Sequence, residues 1–241
     1  MSSCLAVVLA GGLGTRIRHL LPELPKPLAP VAGRPFLEWV VRYLHRQGVQ
    51  RIVLSTGYFS DKVEQFAGEL GIPGLDIACI QEAVPMGTAG GFLNALNGSG
   101  DDFSDTLVLN GDSLVLAEIA PLLRALDDGE TDGALLGVRV ADTARFGTID
   151  FDDGGFLRGF AEKRSGAGLV NGGVYLFRRV VVARFPDARP LSFEYDVFPA
   201  LLAGGARIRV VPCDAPFLDI GTEESLAQAG AFIVGNMKWF E

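Results

Sequence analysis

The stretch "LAVVLAGGLGTRIRHLLPELPKPLAPV", residues 5–31, decides the fold and begins the site. Its opening residues are apolar, enough for a buried strand, and Gly11, Gly12 and Gly14 follow at once. Glycine permits positive φ and removes the Cβ that would hold a backbone N–H away from an anion. A strand that feeds such a loop makes a phosphate cradle, and the same glycines would also suit a plain tight turn. Neither common glycine fingerprint fits. A G-x-G-x-x-G needs glycine where Ile17 stands, and G-x-x-x-x-G-K-[ST] has no place in the chain. Arg16 and Lys26 favour the cradle. A guanidinium grips two phosphate oxygens, while an ammonium supplies a compact point charge. Pro25 and Pro27 restrict the backbone around Lys26 and hold its Cα in place.

Working outward, further short apolar runs at 51–56, 76–81 and 106–109 read as strands. Between them lie helical patterns. In 35–47 the residues Phe36, Leu37, Val40, Val41 and Leu44 share one face, with Pro35 suited to the first helical position. Segments 61–70 and 88–96 read the same way. Alternating strands and helices predict an α/β unit with a largely parallel sheet covered on both faces, and ligands at the carboxyl ends of the strands. In the second half, 134–139, 147–151, 156–162 and 172–177 are strands separated by glycine-rich turns, so a mixed sheet with a β-rich insertion is expected. One domain over 1–241 is expected, in two halves of about 1–115 and about 116–235.

The 21 Lys and Arg against 29 Asp and Glu leave a formal charge of −8, a poor footprint for nucleic acid, so a small substrate is expected. Three scattered cysteines, Cys4, Cys79 and Cys213, suggest neither a disulfide framework nor a zinc site and fit a cytoplasmic protein. No apolar run is long enough for a membrane span, and the N-terminus lacks a basic leader pattern. A homo-oligomer stays open.

"LAGGLGTR" followed by "PKPLAPV" resembles the signature of the sugar-1-phosphate nucleotidyltransferases, which join an NTP to a sugar 1-phosphate and release pyrophosphate. The resemblance implies a Rossmann-like nucleotidyltransferase fold, an α/β structure whose β-rich insertion binds the sugar. It also implies that Leu9, Gly11, Gly12, Gly14 and Thr15 hold the nucleotide, that Arg16 contacts the leaving pyrophosphate, and that Lys26 neutralises the phosphates during transfer.

"TLVLNGDS" and "APFLDIGT" each end an apolar run in an aspartate, Asp112 and Asp219. Singly, each would serve as a turn-former or, for Asp219, as the cap of the helix near Glu223. Beside the glycine loop they resemble the family's two Mg²⁺-binding aspartates, and Mg²⁺ needs few protein carboxylates when phosphates supply the rest. "IQEAVPMGTAGG" resembles the base-contacting segment. There Glu82 can accept from both N–H edges of guanine, which makes GTP the favoured nucleotide. Gly87 and Thr88 open a helix whose N-terminus is expected to serve ribose or sugar hydroxyls.

"FGTIDFDDGG", "FAEKR" and "VNGGVY" resemble the sugar pocket, which implies roles for Gly147, Glu162, Lys163 and Asn171, with Asn110 also on the sugar phosphate. Many members follow Glu-Lys with proline, whereas this chain has Arg164. That departure, with "NGDS" and "LSFEYDVFPALL", resembles the branch that guanylylates D-glycero-α-D-manno-heptose 1-phosphate and would feed bacterial surface glycans. The mannose-1-phosphate guanylyltransferases are the runner-up. In "LSFEYDVF", Ser192 is expected to cap a helix whose first turn welcomes Glu194 and Asp196. His19 and His45 are expected to carry no role. No hexapeptide-repeat domain is seen, so acyl transfer is not expected. A non-catalytic sugar-nucleotide sensor on this fold and a dinucleotide-dependent oxidoreductase are the other classes weighed.

Overall fold

A computed structural model describes residues 4–100, 103–144, 147–161 and 166–241. The first half runs β1 (Cys4–Leu9), the short ribbon β2 (Pro30–Val31) and β3 (Arg34–Pro35), α1 (Phe36–Arg46), β4 (Arg51–Thr56), α2 (Ser60–Glu69), β5 (Asp76–Gln81), α3 (Thr88–Ser99) and β6 (Asp105–Asn110). After β7 (Ser113–Val115) and α4 (Ala120–Arg124) come β8 (Gly133–Val140), β9 (Thr148–Phe151), β10 (Leu157–Ala161) and β11 (Gly168–Arg178). The chain then forms α5 (Arg179–Val182), a π-helical turn Phe193–Val197, α6 (Phe198–Ala203), β12 (Ile208–Cys213), β13 (Phe217–Asp219) and α7 (Glu223–Gly235).

Among the described residues nine strands form one mixed sheet. Strands β5, β4, β1 and β6 lie side by side and parallel. Strand β11 runs antiparallel between β6 and β8, and β12 pairs parallel with β8, so the main sheet keeps one dominant direction. The β-rich insertion expected from the sequence is the β9–β10 hairpin hung on β11.

Alternation along β1 explains why the strand reads as a continuous apolar run. Cys4, Ala6 and Val8 enter the core under α1, α2 and α7, while Leu5 and Val7 enter the core under α3, α5 and α6. Both faces are buried, and each fully buried large apolar side chain contributes roughly 1.5–3 kcal/mol. Helix α1 buries Phe36, Leu37, Val40, Val41 and Leu44 as its periodicity predicts, and the buried Tyr43 hydroxyl donates to the Ala117 carbonyl at 2.6 Å.

Three local readings are corrected. Pro35 is the N-cap of α1 rather than its first residue, because its extended backbone is needed to pair with Pro30 in the β2–β3 ribbon. The cap of α7 is Thr222, whose hydroxyl accepts from the Ser225 amide at 3.2 Å, so Asp219 is free of that duty. Strand β11 begins earlier than expected and carries a bulge: Asn171 to Tyr175 advances against only Gly137 to Leu135 of β8, with Gly173 at φ 67°. Among the described residues no helix is long and apolar enough to cross a membrane.

Candidate active site

Strands β1, β4, β5 and β6 all end on one side of the sheet, and a cavity of about 670 Å³ opens there. The loop after β1 forms one wall and the segment between β5 and α3 the other. Leu9, Gly11, Gly12, Gly14, Thr15, Arg16, Lys26, Glu82, Gly87, Thr88, Asn110 and Asp112 all line it.

The glycine loop is shaped by its contact with Lys26. Gly14 lies at φ 57°, and a Cβ there would meet the Lys26 Cβ at 2.9 Å, so both backbone conformation and space demand glycine. Lys26 is only 8% exposed, and its Nζ donates to Asp112 Oδ2 at 2.7 Å. A buried ammonium needs such a partner to offset its lost hydration.

Asp112 and Asp219 are brought together by a two-stranded ribbon. Asp219 of β13 pairs with Ser113 of β7, and the Ile220 amide donates to the Asp112 carbonyl at 3.0 Å. Gly221 marks the focus of the charged groups. A Cβ on it would lie 3.2 Å from Arg16 Nη2, 3.2 Å from Lys26 Nζ and 2.5 Å from Asp219 Oδ1. Its amide donates to Asp219 Oδ1 at 2.6 Å. Arg16, Lys26 and Asp112 thus line one end of the cavity with Gly221, and Asp219, outside the lining itself, reaches that end through Gly221.

The donor set suits Mg²⁺. Asp219 Oδ1 is held by Gly221 and Asp112 Oδ2 by Lys26, and each carboxylate retains a second oxygen. Among the described residues no group of three or more His, Cys, Asp and Glu could hold a metal by itself. A cation here would complete its shell with phosphate oxygens and water, as Mg²⁺ commonly does.

Glu82 stands near the glycine loop, where a Cβ on Gly11 would lie 2.8 Å from its Oε1. Its Oε1 accepts from Ser55 Oγ at 3.2 Å and its Oε2 from the Met86 amide at 2.9 Å. Each oxygen keeps acceptor capacity, and the carboxylate is oriented before any base arrives.

The start of α3 differs from expectation. The Ala89 and Gly90 amides donate to the Leu191 carbonyl at 2.9 and 3.1 Å, so they are engaged within the chain rather than kept for hydroxyls. Thr88 Oγ1 accepts from the Phe193 amide at 3.1 Å. Gly147 and Asn171 lie outside the lining of this cavity; Gly147 faces the Ala161 carbonyl across the β9–β10 hairpin. Glu162 and Lys163 lie outside the described residues.

Gly57, Tyr58 and Gly221 also line the cavity and carried no assigned role from the sequence. "STGY" at the carboxyl end of β4 was the available signal for the first two. Arg18 Nη2 donates to Tyr58 Oη at 2.7 Å and its guanidinium lies 4.7 Å from the ring centre, which fixes one lip of the mouth. His19 reaches Glu223 Oε1 at 2.6 Å and ties the same loop to α7.

A glycine cradle at the carboxyl edge of a Rossmann-like sheet, with two cations and two aspartates gathered beside it, carries the groups that phosphoryl transfer requires. The chain belongs to the nucleotidyl transferase family, whose model matches residues 5–235. It is 37% identical to a mannose-1-phosphate guanylyltransferase of Mycobacterium tuberculosis over 95% of this chain, and it spans 64% of that relative's length. It is 30% identical to the D-glycero-alpha-D-manno-heptose 1-phosphate guanylyltransferase of Aneurinibacillus thermoaerophilus, over 93% of this chain and 96% of the relative. The crystal structure of HddC from Yersinia pseudotuberculosis complexed with GMP-PN superposes with a TM-score of 0.83 at 32% identity, covering 94% of this chain and 98% of that one.

Proposed function

We propose that the chain transfers the guanylyl group of GTP to a sugar 1-phosphate, D-glycero-α-D-manno-heptose 1-phosphate in the first instance, and releases pyrophosphate. The observation that carries this reading is the convergence of Arg16, Lys26, Asp112 and Asp219 around Gly221. Relatives named as heptose- and mannose-phosphate guanylyltransferases align along nearly the whole chain and support the substrate class.

The acceptor is a phosphate that already bears negative charge, so no protein nucleophile or general base is required. A sugar-phosphate oxygen attacks the α-phosphorus in line, a new P–O bond forms, and the bond to the bridging oxygen breaks with its electron pair leaving on pyrophosphate. Lys26, held by Asp112, and Arg16 would stabilise the charge that builds on the phosphates, a role their shared position beside Gly221 supports. Asp112 and Asp219 would hold Mg²⁺, which when bound draws negative charge from the phosphoryl oxygens. Glu82 would accept from the guanine edge, with Ser55 and Met86 holding its carboxylate in place.

Mannose 1-phosphate is the second reading, favoured by the 37% identity to the Mycobacterium tuberculosis relative. The product distinguishes these outcomes. Anion-exchange isolation followed by mass measurement should return a GDP-heptose from GTP and the heptose phosphate. Free GDP or GMP with unchanged sugar phosphate would show hydrolysis instead and overturn the proposal.

A further inference from the structure

We propose that Glu194 reads a hydroxyl of the sugar and determines which sugar 1-phosphate is accepted, an inference that rests on the sugar 1-phosphate reading above. The expected role of Glu194 was that of a helix first-turn acid. Both Glu194 and Asp196 lie in the first turn of Phe193–Val197 as expected, and Asp196 Oδ2 accepts from the Ser192 amide at 2.7 Å while Ser192 Oγ accepts from the Tyr195 amide at 3.3 Å. Glu194 instead turns to β11, where its Oε1 accepts from Asn171 Nδ2 at 2.6 Å.

That bond is the outer end of a polar chain rooted in the core. Tyr175 is buried among Phe177, Phe193 and Phe198, with ring centres 5.1–6.2 Å from its own. Burial first, and the Glu194 charge second, push its phenol well above the usual tyrosine range, so it stays a neutral hydroxyl. Its oxygen accepts from Asn171 Nδ2 at 2.8 Å, and Asn171 Oδ1 accepts from the Gly173 amide at 2.9 Å. Both amide hydrogens of Asn171 are therefore engaged within the chain, and the carboxamide acts as a brace. Glu194 itself is exposed, and among the described residues its Oε2 has no partner. An exposed carboxylate is normally mobile; this one is anchored at one oxygen and presents the other.

Its place matches the task. The neighbouring Phe193 amide binds Thr88 of the cavity wall, and Gly173, in the bulge beside Asn171, packs against the cavity residue Asn110. Glu194 lies outside the cavity lining itself, one residue from the Phe193 that is tied to Thr88, and a pinned carboxylate there suits a hydroxyl of a sugar that extends from the cavity, which it can bind only as an acceptor. A charge-assisted hydrogen bond of this kind discriminates strongly against a substrate that lacks the hydroxyl.

The test compares the wild type with Glu194→Gln and with Asp196→Asn, by pyrophosphate release from GTP with heptose and mannose 1-phosphates and with the 2-, 3- and 4-deoxymannose 1-phosphates. Glu194→Gln should raise KM for a full sugar phosphate about tenfold, leave KM for GTP within about twofold, and lose that penalty with one deoxy analogue. Asp196→Asn should lower thermal stability with the sugar KM unchanged. An active wild type whose sugar KM is unmoved by Glu194→Gln, or whose GTP KM rises equally, overturns the role of Glu194 alone. A wild type inactive on every sugar phosphate overturns the underlying substrate reading, and this inference with it.

Discussion

Lys26 and Asp112 stand 86 positions apart in sequence and meet at 2.7 Å, with the lysine nearly sealed from water. The pairing holds a cation at the carboxyl edge of β1 and β6 before any phosphate arrives. Such preorganisation avoids reorganisation during charge development, which is where electrostatic catalysis gains most. Lys26→Ala should therefore lower kcat by about 10²–10³ while raising KM for GTP far less. Steady-state kinetics with saturating sugar phosphate read the split; a change confined to KM would reassign Lys26 to ground-state binding.

The two aspartates should behave as a unit. Asp112→Asn and Asp219→Asn should each abolish most Mg²⁺-dependent turnover and shift the Mg²⁺ titration to higher concentration, and the double variant should lose little more than either single one. Additive losses, or an unmoved titration, would separate the carboxylates from the metal.

Gly14 is predicted to tolerate no side chain. At φ 57° an alanine would carry about 1–2 kcal/mol of backbone strain, and its Cβ would push on Lys26. Gly14→Ala should lower thermal stability modestly and cut kcat roughly tenfold or more through the displaced ammonium. Gly68→Ala on α2, away from the cavity, is the comparison, since nothing lies within 4 Å of a Cβ there and its φ is ordinary. Equal losses in the two variants would contradict the Lys26 contact.

Stability should weaken in acid through Asp128. The Thr131 amide at 2.8 Å and the Thr131 hydroxyl, also at 2.8 Å, donate to its carboxylate and hold it below the usual aspartate range. A depressed native pKa favours the fold above the unfolded value, near pH 4 by the usual scale, and the benefit is lost as pH falls through the native value. Asp128→Asn should thus lower Tm at pH 7, and the gap from the wild type should close below about pH 4. A gap that persists in strong acid would point to lost shape rather than lost charge.

The first half of the fold was open to reading because buried parallel strands are continuous apolar runs. Residues 51–56 and 76–81 are strands to the residue, and 88–96 is a helix that continues to Ser99. The glycine loop, Arg16, Lys26, Glu82 and Asp112 were legible as chemistry, and topology gathered them on one cavity. What escaped depends on contacts distant in sequence. No local pattern in 171–175 announces a bulge, because it arises where β11 must pass both β8 and Asn110. The Leu191 carbonyl that caps α3 and the Asn171–Glu194 bond are likewise set by how α6 and the π-helical turn dock. Thr222 and Asp219 both looked like caps for α7. Only the β7–β13 ribbon, by turning Asp219 toward Gly221, decides between them.

Guanylyl transfer to a sugar 1-phosphate is tested most directly by following pyrophosphate from the purified full chain with Mg²⁺, each of the four ribonucleoside triphosphates and dTTP, and a panel of hexose and heptose 1-phosphates. Rapid release with GTP and D-glycero-α-D-manno-heptose 1-phosphate, and slow release with the other nucleotides, is the predicted result. No release from any pair, with GTP still bound tightly, would contradict catalysis and leave a nucleotide-binding protein on a nucleotidyl transferase fold.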